Sequence, residues 1–179
     1  MGNKILIIVD MQNDFIEGVL GTPEARKIVP NIIDKIKNWD GDIILTMDTH
    51  TEDYLLSYEG KHLPIVHCIK GTAGYKLNAY IEEAAWKKVE ANPDCNVRIW
   101  NKFTFGDYAL ADNIDEHPEC IEIIGVCTDI CVISNALIMK VRHPETEVIV
   151  DANCCAGTTP TKHREAIDIM KSCQVIINE

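Results

Sequence analysis

The sequence alternates short, nearly unbroken apolar runs with longer segments in which apolar residues recur every three or four positions. "KILIIVD" (4–10) lacks the in-out alternation of a half-exposed strand and predicts a central strand buried on both faces. "DIILTMD" (42–48), "VRIWNK" (97–102), "CIEIIGV" (120–126) and "EVIVDA" (147–152) predict further strands, with shorter ones at "LPIVH" (63–67) and "QVIIN" (174–178). Helical spacing marks "PNIIDKIKNW" (30–39), "TAGYKLNAYIEEAAW" (72–86) and the segments at about 128–143 and 160–172; Thr159 caps the last of these, with Pro160 at its first position. Strand, helix and strand in repetition imply right-handed crossovers and a mainly parallel sheet covered on both faces. The expectation is one α/β domain over residues 1–179, with no internal repeat, linker or low-complexity segment.

Composition narrows the partners. Charged residues make up 25% of the chain and hydrophobic residues 46%, and the formal net charge is −11. Such an acidic surface argues against nucleic acid or an anionic membrane as partner. No stretch of eighteen apolar residues is present, and "MGNKILIIVD" lacks the small-residue cleavage site of a signal peptide. The eight cysteines form no CxxC pair, so free thiols in a reducing cytoplasm are expected.

In open α/β sheets, ligands bind outside the carboxyl ends of the strands. Asp10, Asp48, His50, His67, Lys102 and Cys131 all fall at or just beyond predicted strand ends. No GxGxxG, P-loop or GxSxG accompanies them. If Thr128 or Asp129 caps the helix, Cys131 sits in its first turn, where backbone N–H groups and the helix dipole favour a thiolate. Lys102 can add a second stabilising charge, and Asp10 can accept a proton from the thiol and later from water. Taken singly, each residue has an ordinary alternative: a packed thiol, a turn aspartate, a solvated lysine. Jointly, at one edge of a sheet, they suit acyl transfer through a thioester. A second cluster lies in "MDTHTEDYLLSYEGKHLPIVH", where Asp48, His50, Glu59, His62 and His67 offer oxygen and imidazole ligands suited to zinc, manganese or iron.

"VDMQNDF", "MDTH", "HCIKGT", the lysine of "WNKFTFG", "GVCTDICV" and "VIVDANCCAGT" together resemble the isochorismatase-like cysteine hydrolase superfamily, and within it the nicotinamidase branch. The resemblance runs from residue 5 to about 170. It implies a three-layer α/β/α fold with a six-stranded, mainly parallel sheet, and a catalytic triad of Asp10, Lys102 and Cys131. It implies a cis peptide just before Cys127, with the Cys127 and Cys131 amides forming an oxyanion hole, and Phe15, Val126 and Cys127 contacting substrate. A divalent metal, zinc foremost with manganese or iron as alternatives, is implied on Asp48, His50 and His67. The remaining histidine of the commoner pattern falls near Leu56, which cannot ligate. Glu59 in "YEGK" matches a variant pattern, and is favoured over His62 as fourth ligand.

The substrate implied is nicotinamide, hydrolysed to nicotinate and ammonia, and such proteins commonly self-associate as homo-oligomers. The segment before His67, Leu63 to Val66, lacks the aromatic often found there, leaving Phe103 or Phe105 as replacement. That departure keeps open another small amide or carbamoyl substrate. A non-enzymatic binding or redox protein using Cys127 and Cys131 is the contrasting reading.

Overall fold

The computed structural model describes residues 3–114 and 118–179. Among the described residues six strands form one sheet: β1 (Lys4–Val9), β2 (Asp42–Asp48), β3 (Val97–Lys102), β4 (Cys120–Val126), β5 (Glu147–Ala156) and β6 (Ile176–Asn178). Their order across the sheet is β3-β2-β1-β4-β5-β6, and each neighbouring pair is parallel. β1 is central because its residues Ile5 to Val9 are buried on both sides, as the unbroken apolar run requires. From β1 the chain works outward through β2 and β3, then crosses back and runs outward through β4, β5 and β6. The direction reverses between β1 and β4, which opens a crevice at their carboxyl ends.

Helices cover both faces, giving three layers. On one face lie α2 (Pro23–Asn38), which packs on β4 and β5, and α4 (Ala79–Ala91) beside it. On the other lie α5 (Tyr108–Asp112), α6 (Ile133–Arg142) and α7 (Pro160–Ser172), each packed on the next. Two short helices, α1 (Asn13–Ile16) and α3 (Tyr58–His62), follow β1 and β2 at the crevice end. No helix among the described residues is long and apolar enough to cross a membrane.

Four expectations shift. The first long helix begins at Pro23, seven residues before the predicted start, because the Thr22 side chain accepts from the Ala25 amide and caps it there. Pro30 then falls inside it, on the exposed face. The helix expected from residue 72 starts only at Ala79. Asn78 caps it, and residues 74 to 78 are held as a loop by backbone bonds to the turn after β1, Asn13 N to Lys76 O and Asn78 N to Met11 O among them. Residues 63–67 form no strand: the outer edge of β2 is taken by β3, and one isolated bridge, His50 to Ile69, is all that forms nearby. β5 runs to Ala156, past the expected end at 152, with a register shift against β4 between Ile123 and Gly125.

Gly125 shows why the β4 run is interrupted. It holds φ +116, open to glycine but strained for other residues, and a Cβ there would collide with the carbonyl oxygen of Val9 on β1. The Gly125→Ala variant is therefore expected to lose about 2 kcal/mol or more of stability, in the range of strained backbone positions. Urea unfolding checks this: a lower midpoint at unchanged slope is the expected result, and a parental midpoint would mean that β1 and β4 separate without cost.

Candidate active site

Four strand ends deliver the site. Asp10 follows β1, Asp48 ends β2, Lys102 ends β3 and Cys131 lies in the turn after β4. Asp48 and Lys102 are register partners across β2 and β3. Lys102 is wholly buried, 0% exposed, and its ammonium lies 2.6 Å from Asp10 Oδ2 and 3.4 Å from Asp48 Oδ1. It also donates to the Thr104 carbonyl at 3.2 Å and to Cys131 Sγ at 3.6 Å. Asp10 is equally buried; its Oδ1 accepts from the Thr46 hydroxyl at 2.7 Å, and its own amide donates back to that oxygen. Its φ of +51 turns the chain sharply out of the sheet there.

The helix start carrying Cys131 differs from expectation. Residues Thr128–Val132 form a π-helical turn ahead of α6, and Cys127, with no capping side chain, occupies the cap position. Thr128 and Asp129 serve other partners. The Thr128 hydroxyl pairs with His163 Nδ1 of α7 at 2.8 Å, and the Asp129 carboxylate accepts from the Thr158 amide and hydroxyl. The peptide between Val126 and Cys127 is cis. Val126 itself packs in the core and meets the site through that bond, whereas Cys127 lines the cavity.

Burial works against the thiolate that the helix start favours. Burial pushes the Cys131 thiol well up, and the nearby Asp10 carboxylate adds to the rise; Lys102 opposes both without cancelling them. Burial also raises the Asp10 carboxyl, against the pull of Lys102. For Lys102, burial alone would lower the ammonium, but Asp10, Cys131 and Asp48 outweigh it and the group stays charged. The Cys127 thiol is pushed up to about 12 by burial and by Asp129.

Beside this trio stands the second cluster. Donor atoms of Asp48, His50 and His67 lie within 4.8 Å of one another. His50 Nε2 is buried at 3.0 Å from Asp48 Oδ2 but has no aligned hydrogen-bond partner among the described residues. His67 Nε2 lies 3.6 Å from the same carboxylate oxygen, and its Nδ1 is fixed by the Ile65 carbonyl at 2.7 Å, which leaves Nε2 as the inward atom. Glu59 on α3 approaches both rings, 3.7 Å from His50 and 3.9 Å from His67. His62 does not join: it is exposed, bonded to the Tyr58 carbonyl and packed on the Tyr58 ring. Two imidazoles, one of them with a buried and unpaired nitrogen, and two carboxylates fit a divalent ion.

A cavity of about 350 Å3 opens over both clusters, lined by Cys131, Cys127, Asp48, Glu59 and His67 at its polar end. Phe15, Val19, Leu20, Leu63, Phe105 and Ile130 supply its apolar walls. Phe15 meets His67 edge-on, with ring centroids 5.5 Å apart. Of the two candidate replacement aromatics, Phe105 reaches the cavity and Phe103 points to solvent. Gln12 and Asp14, missed as site residues, bond to the backbone of this cradle; the polar "QND" directly after a buried strand was the available signal.

A model of the isochorismatase domain family matches residues 4–178. An uncharacterized isochorismatase family protein, PncA, of Bacillus subtilis (strain 168) is 32% identical over 148 residues, covering 75% of this chain and 76% of its own. A nicotinamidase of Acinetobacter baylyi is 26% identical, over 84% of this chain and 80% of its own. Among solved structures, the pyrazinamidase of Pyrococcus horikoshii in complex with zinc superposes with a TM-score of 0.72 at 26% identity, covering 99% of each chain. With its all-parallel six-stranded sheet and a family match that spans nearly every residue, the chain belongs to the isochorismatase family.

Proposed function

We propose that the protein is a metal-dependent amidase that hydrolyses nicotinamide to nicotinate and ammonia through a thioester on Cys131. The observation that carries this is the buried Lys102 ammonium touching Asp10 and Cys131 at once, behind a cavity lined by Cys131 and by Asp48 and His67 of the Asp48, His50 and His67 cluster. The nicotinamidase named among the relatives and the zinc-bound pyrazinamidase support the choice of substrate class.

In the proposed reaction Cys131 Sγ attacks the carboxamide carbon while its proton passes to Asp10, whose raised carboxyl is a better acceptor than an ordinary aspartate. The carbonyl oxygen gains charge and is held by the backbone amides of Cys127 and Cys131. Collapse breaks the C–N bond, and Asp10 returns the proton to the leaving nitrogen, which departs as ammonia. Water then attacks the thioester; Asp10 takes its proton and delivers it to the sulfur as nicotinate is released. Lys102 holds Asp10 and Cys131 in contact throughout and compensates their charge. Asp48, His50, Glu59 and His67 would hold the divalent ion, zinc or alternatively manganese or iron, which when bound supplies a Lewis-acid site for the pyridine nitrogen.

A second reading, another small amide or carbamoyl compound on the same machinery, is favoured by Leu63 lining the cavity where an aromatic is common. No lysine or arginine is among the described residues lining that cavity, which favours a neutral substrate over one bearing a carboxylate. In either case residues 1–179 act as one cysteine hydrolase domain, as a cytoplasmic homo-oligomer working on a small molecule; the charge of −11 and eight free thiols support the partner class and location.

The test is ammonia release from nicotinamide by purified protein, with chelator and then with added zinc or manganese. Activity that falls with the chelator and returns with metal is expected, and Cys131→Ala should give none. Release of ammonia by Cys131→Ala at the parental rate would sink the thioester route. If the parent releases ammonia from neutral amides other than nicotinamide alone, the second reading takes over. A further outcome follows from the thiol's electrostatics. Because the Asp10 charge raises the Cys131 thiol, Asp10→Asn should shift iodoacetamide alkylation of Cys131 to lower pH while turnover drops by about 100-fold or more for want of a base. Alkylation and turnover moving together would instead mean that Asp10 only holds the site in shape.

A further inference from the structure

The turn after β1 carries more than Asp10. Gln12 is fully buried, and its carboxamide grips the backbone of Asp48 at both polar groups: Oε1 accepts from the Asp48 amide at 2.7 Å, and Nε2 donates to the Asp48 carbonyl at 2.9 Å. The second Nε2 proton goes to the Tyr75 carbonyl at 2.8 Å. Two residues later, Asp14 Oδ2 accepts from the Cys68 amide at 2.8 Å. Cys68 directly follows His67, holds φ +47, and accepts from the His50 amide through its own carbonyl at 3.0 Å. Two neighbouring side chains thus hold the backbone beneath Asp48 and beside both imidazoles.

We propose that Gln12 and Asp14 are positioning residues that fix the Asp48, His50 and His67 cradle to the turn carrying Asp10, so that one short segment sets the distance between metal site and proton acceptor. This rests on the metal reading given above. The chemistry demands different things at the two positions. At residue 12 one acceptor and two donors are needed: glutamate has no proton for the Asp48 carbonyl, asparagine is a methylene short, and leucine leaves buried backbone groups unpaired. At residue 14 only an acceptor is needed, so asparagine can serve.

Zinc affinity of the metal-free full-length chain, measured by competition with a chromophoric chelator, tests this beside its melting temperature. Gln12→Leu and Asp14→Ala should each weaken zinc binding by about 10- to 100-fold, the usual cost of losing a group that orients a ligand, while Asp14→Asn stays close to the parent. Variants that lower the melting temperature but bind zinc with parental affinity would overturn the proposal and leave both residues merely structural. Should Gln12→Leu fail to fold, the Asp14→Ala and Asp14→Asn pair decides alone. A parent chain that binds no zinc would fail the metal reading in that arm, and amide exchange then decides the positioning. Faster exchange confined to Asp48 in Gln12→Leu and to Cys68 in Asp14→Ala supports it; parental exchange at both amides overturns it.

Discussion

The contact on which the site depends is the ammonium of Lys102. A cation with no solvent exposure costs several kcal/mol unless its charge is met by well-placed partners. Lys102 meets Asp10, Asp48, the Thr104 carbonyl and the Cys131 sulfur from one position. Each of those groups is therefore held by the need to satisfy the lysine, and the lysine by them. Lys102 is shared between Asp10 of the trio and Asp48 of the second cluster, so the two clusters are electrically one structure.

That arrangement is possible only because the sheet is parallel and changes direction between β1 and β4. Parallel strands bring all their carboxyl ends to one edge, and β2 and β3 in register place Asp48 opposite Lys102. The close approach of β4 to β1 at Gly125 lets the following turn lean over Asp10. Strain gathers at the same edge: Asp10 and Cys68 both take left-handed φ values, +51 and +47, that most residues avoid. The hydrogen bonds that hold them, from Gln12 N to Asp10 O and from Cys68 N to Asp14, come from one short stretch of chain.

The strands were legible because burial on both faces writes itself into an unbroken apolar run, and five of the long runs became strands of the central sheet. The polar residues that end those runs were legible for the same reason: Asp10, Asp48 and Lys102 stand where an apolar pattern stops. What could not be read lies in tertiary hydrogen bonds. The 72–78 segment has helical spacing, yet its carbonyls and amides pair with the turn after β1, and the helix begins only at Ala79, after its Asn78 cap. "LPIVH" has strand composition, but the sheet edge it would need is filled. Sequence shows the place of Cys131 in a helical turn and not its burial, and burial is the largest influence pushing the thiol up. Glu59 was favoured over His62 by resemblance alone, and α3 gives the physical reason by turning one inward and the other out.

Charge accounting explains why a glutamate suits the place where Leu56 supplies no ligand. Asp10 and Asp48 both meet Lys102, and Glu59 joins Asp48 around the two imidazoles. Asp48 is held well below the ordinary range: burial would raise it, but the adjoining imidazoles of His50 and His67 and the charge of Lys102 prevail. Glu59 is pushed up, by burial first and by the Asp48 charge next, with the imidazoles pulling against both. The cradle is therefore richer in negative charge than its own cations can match. In the proposed holoenzyme a divalent ion with two neutral imidazoles is balanced by Asp48 and Glu59, which frees Lys102 to pair with Asp10. A histidine in place of Glu59 would leave the dication with one carboxylate and make it compete for the charge that the nucleophile's partner needs. On this accounting Glu59 would do two jobs in the proposed holoenzyme, as ligand and as counter-charge, and the second would keep the metal cradle and the Asp10–Lys102–Cys131 trio from drawing on the same charge.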